Sequence, residues 1–521
     1  MNATIAPTGI RSRIDGSLPG GIVAVATAIP AFIGYTAQAT LDGTDCTCVP
    51  VKIGSMAEFD AIFTGPPGTR PQAPRYRVTV LPSPPADGDD DAETVGFVSC
   101  RIAPDPATVY WLRDSVRMFF ENGGTEARIV SAGPFGAASG HAAPPGAAFV
   151  DALVNPNVRL ADLQAALAAL KTSSDVTLYV VPEATLLPDA DALALTQSLL
   201  AQSAALGTCL TLLDVKGGLR PDPQAWPQDI AAFRRSTGDI GLDFGAAYYP
   251  FLITALRSGT LDYTDFDGGD ARALLPVLNP DAMPNPAAAQ LLQAIAAGTA
   301  PDVAKNHQAL LIASPAYAAL IAIVERKAGT LPPSGAVAGI FARVDADAGV
   351  WTAPANVVPA MVADLTLRLS DQDQAGLNVD AVSGKSIDAF RLFAGRGVVL
   401  WGARTLDGNS QDWRYVPVRR TAVMVEQSIR AWLRSLVFAA NDANTWAYAQ
   451  SAIEQFLTGL WQAGGLQGTK PSEAFAVQVG LGTTMTADDL LDGVLRITVL
   501  LAITRPAEFI VIGIEQPLAI G

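Results

Sequence analysis

The chain has 521 residues, which is too long for one ordinary core and predicts two or three domains. Hydrophobic residues make up 50% of it and charged residues 16%, a composition typical of a folded protein and not of a disordered one. Fifty acidic residues against 35 basic ones leave a net charge of −15. Nucleic acid is therefore not expected as a partner, because its phosphate backbone repels such a surface.

Residues 1–30 are predicted to form an N-terminal arm with almost no core of its own. One short stretch of the arm alternates in the way of a half-buried strand, and it consists of Gly9, Ile10, Arg11, Ser12, Arg13 and Ile14. Six residues cannot form a sheet alone, so this strand needs an existing sheet edge, and the linker at 16–21 is long enough to reach one on another subunit. An edge strand on the chain's own domain is the alternative that the composition leaves open.

Residues 31–405 are predicted to form a large α/β body, because strand-like and helix-like segments alternate as they do around a parallel sheet with helices on its faces. The predicted strands are Ala31–Thr36, Ala127–Ser131, Val176–Val181, Cys209–Val215, Gly245–Ile253 and Val398–Trp401. The predicted helices include Ala161–Lys171, Ala190–Leu206 and Ser314–Lys327, the last with Ser314 as N-cap, Pro315 at its first position and Gly329 just past its end.

Residues 64–108 are expected to be an exposed insertion in this body, since they are rich in proline and carry the acidic run Asp89–Asp91. A small β region is predicted within the insertion, around Tyr76–Val80. A second polar stretch, Asp262–Asp270, is expected to be a surface loop.

The stretch Gly395–Arg420 marks the predicted boundary between the body and a smaller C-terminal module, residues 406–521. Its apolar run Val398–Trp401 suits a buried strand, and the turn-forming residues Asp407–Ser410 follow. An extended pattern is predicted after the turn, carried by Trp413, Tyr415, Val418, Arg419 and Arg420.

The C-terminal module is predicted to be α+β. Two amphipathic helices are indicated by apolar residues three, four or seven positions apart, Val425, Ile429, Trp432 and Leu436 in the first and Trp446, Ile453, Leu457 and Leu460 in the second. Two strands follow, at Phe475–Val479 and Leu495–Ile503. The chain closes on a strand that is apolar on both faces and should be covered by protein on both sides, formed by Glu508, Phe509, Ile510, Val511, Ile512, Gly513, Ile514 and Glu515.

No catalytic, cofactor-binding or metal site is predicted, because the sequence offers no clustered nucleophile, base and orienting group. The chain has two histidines, His141 and His307, and neither has a carboxylate, cysteine or second histidine at metal-ligand spacing. The four cysteines, among them Cys46 and Cys48, are too few and too scattered for a disulfide framework and indicate a reducing compartment. The apolar run at 20–37 is interrupted by a proline and is interpreted as the approach to the first buried strand, not as a membrane segment.

Several stretches, in the same order along the chain, resemble contractile tail sheath proteins. The most recognisable is PPSGAVAGIFARVDADAGVWTAPAN (332–356), followed by GRGVVLWGART (395–405) and DWRYVPVRR (412–420). Further matching stretches are AFIGYT (31–36), SMAEFDAIFTGPP (55–67), MFFENGGTEARIVSAG (118–133), GAAYYPFL (245–252), FLTGLWQAGGLQG (456–468), EAFAVQV (473–479) and RPAEFIVIGIEQ (505–516). The segments at 59–80 and 110–133 look most like sheath subunits of extracellular contractile injection systems, which are phage-tail-like particles.

The resemblance implies a structural, non-enzymatic subunit of a helical sheath that surrounds an inner tube and contracts to drive the tube through a membrane. It implies a subtilisin-like body and terminal arms whose strands join neighbouring subunits or the chain's own C-terminal module. Such strand addition would satisfy both the isolated strand at 9–14 and the apolar strand at 508–515. The implied energy source is surface buried between subunits on contraction, and no nucleotide or other cofactor is expected.

The implied partners are other copies of the chain or sheath paralogues, an inner tube protein, and baseplate and terminal cap proteins, without nucleic acid or direct membrane insertion. Assembly is expected in the bacterial cytoplasm, within a phage-tail-like particle that the cell can release. The helix around Trp446–Trp461 is expected near the tube, with candidate tube-side residues Trp446, Gln450, Glu454 and Trp461. In the boundary stretch, four residues are interpreted as structural ties between body and module and not as an anion site, namely Arg404, Trp413, Arg419 and Arg420.

Two other functions remain open at this point. One is the tail sheath of a contractile-tailed bacteriophage. The other is an α/β hydrolase-like enzyme, since parallel sheets commonly carry active sites at their strand ends, and its Ser-His-Asp triad would have to use His141 or His307.

Overall fold

A computed structural model describes residues 21–66, 73–81, 92–137, 153–219, 221–256, 261–378, 380 and 382–508. The described residues divide into two compact units. The larger unit contains residues 26–423 and 505–508, and the smaller one contains residues 21–25 and 424–504.

The described strands are β1 Pro30–Thr36, β2 Thr40–Leu41, β3 Thr44–Asp45, β4 Val51–Ile53, β5 Tyr76–Val80, β6 Ala92–Val95, β7 Val98–Pro104, β8 Ala127–Pro134, β9 Leu178–Val180, β10 Leu210–Asp214, β11 Gly245–Tyr249, β12 Leu252–Thr254, β13 Thr330–Leu331, β14 Val362–Leu365, β15 Asp388–Phe393, β16 Gly397–Leu400, β17 Phe475–Val479 and β18 Ile497–Leu501.

The described α-helices are α1 Met56–Phe59, α2 Leu112–Glu121, α3 Leu160–Ala169, α4 Asp189–Leu206, α5 Trp226–Ser236, α6 Leu275–Leu278, α7 Pro286–Ala296, α8 Val303–Ala313, α9 Pro315–Ala328, α10 Ser334–Ala348, α11 Asp371–Asn378, α12 Val416–Leu433, α13 Ala443–Gln462, α14 Pro471–Ala474 and α15 Ala487–Leu491.

The larger unit is built on an eight-stranded sheet in the order β16-β15-β11-β10-β9-β1-β8-β4. The strands from β15 to β8 run parallel to their neighbours, whereas β16 and β4 pair antiparallel at the two edges. Every residue of β1 is buried, as expected for a strand covered on both faces. The predicted α/β body is confirmed, and the antiparallel edges make its sheet a mixed one.

Two glycines let α10 pack closely on α2 beside this sheet. A Cβ at Gly335 would lie 2.5 Å from the Ser115 carbonyl oxygen, and one at Gly339 would lie 2.4 Å from that of Phe119. Both glycines belong to the longest of the sheath-like stretches. Gly335 and Gly339 of this stretch therefore have a packing role in this chain.

The single strand predicted at Gly245–Ile253 is wrong, because the structure has two strands there. Pro250 lacks the backbone N–H that a central strand donates, so β11 ends at Tyr249. The chain then starts β12 in a separate three-stranded sheet with β13 and β14.

The strand predicted at Tyr76–Val80 is confirmed as β5, which pairs with β7 in a small antiparallel sheet that also includes β6. The expectation that 64–108 is wholly exposed is wrong, because Ile102 and other inner-face residues of this sheet are buried in a second core with α6 to α9. Phe266 belongs to the same core, so Asp262–Asp270 is not a simple surface loop.

Helix α9 has the predicted signals at both ends. The Ser314 hydroxyl accepts the N–H of Tyr317 at 3.2 Å, Pro315 is in the first turn, and Gly329 follows the last residue. No single helix among the described residues is long and apolar enough to cross a membrane; α8 and α9 pass that test only as a pair, which is bent by 115°.

The extended pattern predicted up to Arg420 is wrong, because α12 already begins at Val416. Pro417 stands in the first turn of α12, where a missing N–H leaves no helical hydrogen bond unmade. The helical period marked by Val425 and Ile429 therefore extends two turns further towards the N-terminus than predicted.

The smaller unit contains the predicted second helix and both predicted strands of the module. α13 covers Ala443–Gln462, and β17 and β18 form a two-stranded antiparallel sheet. Trp432, Ala449 and neighbouring apolar residues form a small core against which Ile22 packs. The backbone N–H of Val25 donates to the Ser428 hydroxyl at 3.0 Å, which fixes the start of the described chain on this unit.

Candidate assembly site at the roots of the terminal segments

Most of the predicted arm residues, Gly9–Ile14 and Phe509–Glu515, lie outside the described residues, whereas Glu508 lies within them. The structure therefore describes the places where the two terminal segments meet the larger unit. Residues 27–29 are termed the N-terminal root, and Glu508 is termed the C-terminal root.

The C-terminal root is held by Arg404 and Tyr415. Arg404 donates from Nε to Oε1 of Glu508 at 2.8 Å and from Nη2 to Oε2 at 2.6 Å, and the Tyr415 hydroxyl donates to Oε2 at 3.0 Å. Both side chains reach the same carboxylate because Arg404 and Tyr415 pair across an antiparallel bridge after β16. Such a fork fixes the orientation of a carboxylate as well as its position.

Arg404 is buried under this contact. Its side chain is 4% exposed and that of Glu508 19% exposed. The third guanidinium nitrogen of Arg404, Nη1, donates a hydrogen bond to the Asn378 carbonyl oxygen at 2.9 Å. Burial alone would lower the pKa of Arg404, but its hydrogen bonds to Glu508 raise that pKa above its ordinary value, so the arginine stays charged.

The N-terminal root is held by Arg420 and Asp345. Arg420 donates to Asp345 through Nη1 to Oδ1 at 2.9 Å and through Nη2 to Oδ2 at 2.5 Å, and Nη2 also donates to the Thr27 carbonyl oxygen at 2.9 Å. The Thr27 hydroxyl donates to Oδ2 of Asp345 at 2.5 Å. The side chains of Arg420 and Asp345 are 5% and 8% exposed.

Thr177 completes the N-terminal root. Its hydroxyl donates to the Thr27 carbonyl oxygen at 3.0 Å and accepts the N–H of Ile29 at 2.9 Å. The backbone is thus fixed on both its donor and its acceptor side immediately before β1 begins.

The other two residues interpreted as structural ties are also engaged inside the larger unit. The guanidinium carbon of Arg419 lies 3.6 Å from the ring centroid of Trp413 and 4.3 Å from that of Phe244, and Arg419 forms an ion pair with Asp243. These contacts account for both residues without an anion. That Trp413 and Arg419 tie the predicted body to the predicted C-terminal module stays a prediction.

The four candidate tube-side residues lie on one flank of α13 and are half-buried. The indole N–H of Trp446 donates to Asn441 Oδ1 at 2.7 Å, and that of Trp461 donates to the Gly468 carbonyl oxygen at 3.0 Å. Gln450 and Glu454 hydrogen-bond to each other at 2.8 Å. The exposed face of α13 lies next to this flank and carries small or uncharged residues: Asn444, Ala447, Ser451, Gln455, Gly459 and Gln462.

Across the described parts of the chain, no group of three or more His, Cys, Asp or Glu side chains is placed to hold a metal ion. His307 lies with Nδ1 2.9 Å from the Tyr317 hydroxyl, and His141 lies outside the described residues. The four cysteines, including Cys46 and Cys48, are free thiols.

Three buried carboxyl groups were missed by the sequence analysis. Burial raises the pKa of Glu183 and of Asp388 to about 8 and that of Asp214 to about 7. Asp214 accepts the N–H and hydroxyl of Ser334 at 2.8 and 2.6 Å, and Glu183 accepts two backbone N–H groups at the start of α2. A single acidic residue at the end of an apolar strand run, as in Leu210–Asp214, is the signal that could have found one of them.

Residues 409–516 match the family model of the phage tail sheath C-terminal domain. Over 136 residues, 26% of this chain, the sequence is 26% identical to the tail sheath protein of Vibrio phage KVP40. That match spans about a fifth of the phage protein, 20% of its length.

Solved structures match over almost the whole chain. The helical sheath of the anti-feeding prophage in its contracted state is 25% identical, with a TM-score of 0.58 and coverage of 99% of this chain and 100% of that one. The sheath complex of an extracellular contractile injection system, PVC, in its contracted state is 22% identical, with a TM-score of 0.58 and 99% coverage of both chains. The baseplate structure of the anti-feeding prophage in its contracted state contains a chain that is 24% identical, with a TM-score of 0.60 and coverage of 99% and 98%.

The predicted similarity to contractile sheath proteins is thereby confirmed, and so is the predicted class of fold, helices with a large sheet. The subtilisin-like character of the body stays a prediction. The similarity to injection-system sheaths extends over the whole chain, whereas the phage relative matches only a quarter of it.

Proposed function

We propose that this chain is a structural subunit of a contractile sheath, which polymerises helically around an inner tube and contracts to drive the tube through a target membrane. The observation that carries the proposal is the end-to-end match to the contracted sheath of the anti-feeding prophage, at 25% identity and 99% coverage.

The two-stranded sheet of the smaller unit is the proposed acceptor for terminal strands. In the described part of the chain β17 and β18 pair only with each other, so each has one edge without a strand partner. Two strands alone are marginally stable, and an added strand would satisfy the free backbone groups. Strands at 9–14 and 508–515 are suited to that role because neither has a sheet of its own in the sequence pattern. At least one of them is proposed to come from a neighbouring copy.

The proposed partners are other copies of the chain or sheath paralogues, the inner tube, and baseplate and terminal cap proteins. Residues 31–405 are proposed as the outer body, 406–521 as the tube-side module and 1–30 as the linking arm. Within the module, the flank of α13 with Trp446 and Trp461, together with the adjoining uncharged face, is the proposed tube contact. The particle is proposed to assemble in the bacterial cytoplasm.

Contraction in this proposal uses no nucleotide. Each subunit moves to a lattice in which more apolar surface is buried, and about 25 cal/mol for each square ångström, summed over many copies, supplies the work. A bacteriophage tail sheath is the second candidate, favoured by the match of residues 409–516 to the phage tail sheath C-terminal domain.

Removal of residues 1–20 tests the proposed arm. The truncated protein is expected to fold, because residues 21–25 already supply the described contacts to the smaller unit, but it should form no sleeves by negative-stain electron microscopy. A control that lacks only residues 1–8 keeps Gly9–Ile14 and should assemble like the full chain. Sleeves of normal length from the 1–20 truncation would contradict the strand-exchange role.

A further inference from the structure

Both roots are held by arginines of one short segment of the chain. Arg404 and Arg420 stand near the two ends of residues 403–420, here termed the clamp segment. The segment is braced on itself, because the N–H of Val416 donates to the Ala403 carbonyl oxygen at 3.0 Å and that of Thr405 donates to Arg414 at 2.9 Å. Its last five residues, 416–420, form the start of the long helix α12.

Overall stability alone does not explain this arrangement. Buried ion pairs contribute little net stability, since desolvation of the two charges offsets most of their attraction. What a buried fork does supply is a fixed geometry. The fork of Arg404 acts on Glu508 itself, whereas the fork of Arg420 acts on Asp345 of α10, and this pair in turn holds Thr27 through the Thr27 carbonyl oxygen and hydroxyl. Glu508 is 104 positions from Arg404, and Thr27 is 393 positions from Arg420.

A second ion pair on the same stretch lacks these properties and provides a comparison. Arg505 lies 3.6 Å from Asp412, and their side chains are 47% and 80% exposed. Such a pair is screened by water and fixes no direction. The acidic residues of these two ion pairs therefore differ in burial, since Glu508 is 19% exposed and Asp412 is 80% exposed.

We propose that the clamp segment couples the two terminal segments mechanically, with Arg404 and Tyr415 as positioning residues that latch Glu508 while Arg420 and Asp345 hold the N-terminal root. A pull on one terminal segment by a second copy of this chain is passed through residues 403–420 to the other terminal segment. Displacement then travels from copy to copy along the polymer without deforming the central sheet. This inference rests on the proposed sheath function, and the second copy is its partner.

The chemistry of the latch predicts which changes open it. Glu508→Gln removes the negative charge that both arginine nitrogens contact, while it keeps the size of the side chain. Tyr415→Phe removes one of the three hydrogen bonds and should have a smaller effect in the same direction. Asp412→Asn disrupts only the exposed pair and is the matched control.

The test uses the full-length chain with each substitution and three measurements. Amide hydrogen exchange of the peptide that contains Glu508 should be about tenfold faster in the Glu508→Gln protein, about twofold to threefold faster in Tyr415→Phe, and unchanged in Asp412→Asn. Thermal unfolding of the larger unit should be unchanged in Asp412→Asn and should occur at a lower temperature in Glu508→Gln, because Arg404 stays buried without its anion. Exchange of a peptide from β1 is therefore measured beside that of the Glu508 peptide, so that global loss of stability is distinguished from local opening. The mass of sedimentable sleeves should fall in the order of the exchange rates.

The outcomes separate this inference from the proposed function. Unchanged exchange at Glu508 in the Glu508→Gln protein would overturn the latch whether or not sleeves form. Faster exchange together with normal sleeves that contract to normal length would overturn the coupling while leaving the sheath function intact. If the unsubstituted chain forms no sleeves, the sheath function fails, and the exchange measurement still decides whether the latch exists.

Discussion

The ion pairs at the two roots share their chemistry but differ in where their acidic partners lie. Asp345 and Arg420 belong to α10 and α12 in the folded interior, and both side chains are at most 8% exposed. Glu508 lies at the end of the described chain and is 19% exposed. The first pair is therefore part of the fold, whereas the second is a contact that can open while the fold persists.

Substitution of Asp345 removes the buried ion pair with Arg420 and should give the largest change in the free energy of unfolding. Asp345→Asn leaves the Arg420 charge buried without its anion, and a loss of about 3–5 kcal/mol in the free energy of unfolding is expected. Denaturant titration of the full-length chain measures it. Asp347→Asn changes an exposed residue of the same helix and should cost less than about 0.5 kcal/mol. Equal losses in the two variants would show that Arg420 does not depend on Asp345.

The buried carboxyl of Glu183 gives a pH dependence of stability that involves neither root. The pKa of Glu183 rises from 4.5 to about 8 on folding, chiefly through burial, so between these values the unfolded chain loses a proton that the folded chain keeps. The free energy of unfolding therefore falls as pH rises through this window, by about 1.4 kcal/mol per pH unit for one such group.

Replacement of Glu183 by Gln should make the fall of unfolding free energy with pH less steep, by about 1.4 kcal/mol per pH unit. Denaturant titration between pH 5 and 8 measures this slope. Glu473 is the matched control: hydrogen bonds from Thr469 lower its pKa, so any stability that it contributes is lost only at lower pH. Glu473→Gln should leave the slope between pH 5 and 8 unchanged. An equally steep slope in the Glu183→Gln protein would contradict a protonated Glu183.

The exposed pair should give the smallest effect. Asp412→Asn removes a contact between side chains that are 47% and 80% exposed, so the change in unfolding free energy should be within about 0.5 kcal/mol. The loss of unfolding free energy in Asp412→Asn is compared with the loss in Asp345→Asn. Both substitutions remove one negative charge, so the difference between the two losses measures the effect of burial. A loss above about 2 kcal/mol would remove the contrast between exposed and buried pairs.

Sequence patterns predicted those helices and strands whose caps or apolar periodicity lie within a single short segment. The caps of α9, the apolar stripe of α13 and the buried strand at Val398–Leu400 all follow from residues within a few positions of one another. The start of α12 was missed because Val416–Arg420 carries apolar spacing that suits a strand as well as a helix. Pro417 was the available signal for the helix.

The candidate site could not be predicted in the same way. Arg404 was singled out, but its partner lies 104 positions away, and Arg420 meets Asp345 at 75 positions. Contacts at such separations depend on how sheet and helices pack, which no local period records. The resemblance to sheath proteins supplied the family and the fold, while the arginine clamps required the coordinates.

The most direct test of the central claim is a cryo-EM reconstruction of the sleeves that the full-length chain forms around its inner tube. We expect a helical lattice in which a terminal strand of one copy, from 9–14 or 508–515, pairs with the β17–β18 sheet of a neighbouring copy. Each Glu508 should contact Arg404 of its own chain. A lattice in which every copy keeps its terminal strands on its own sheet, or a population of monomers alone, would contradict it.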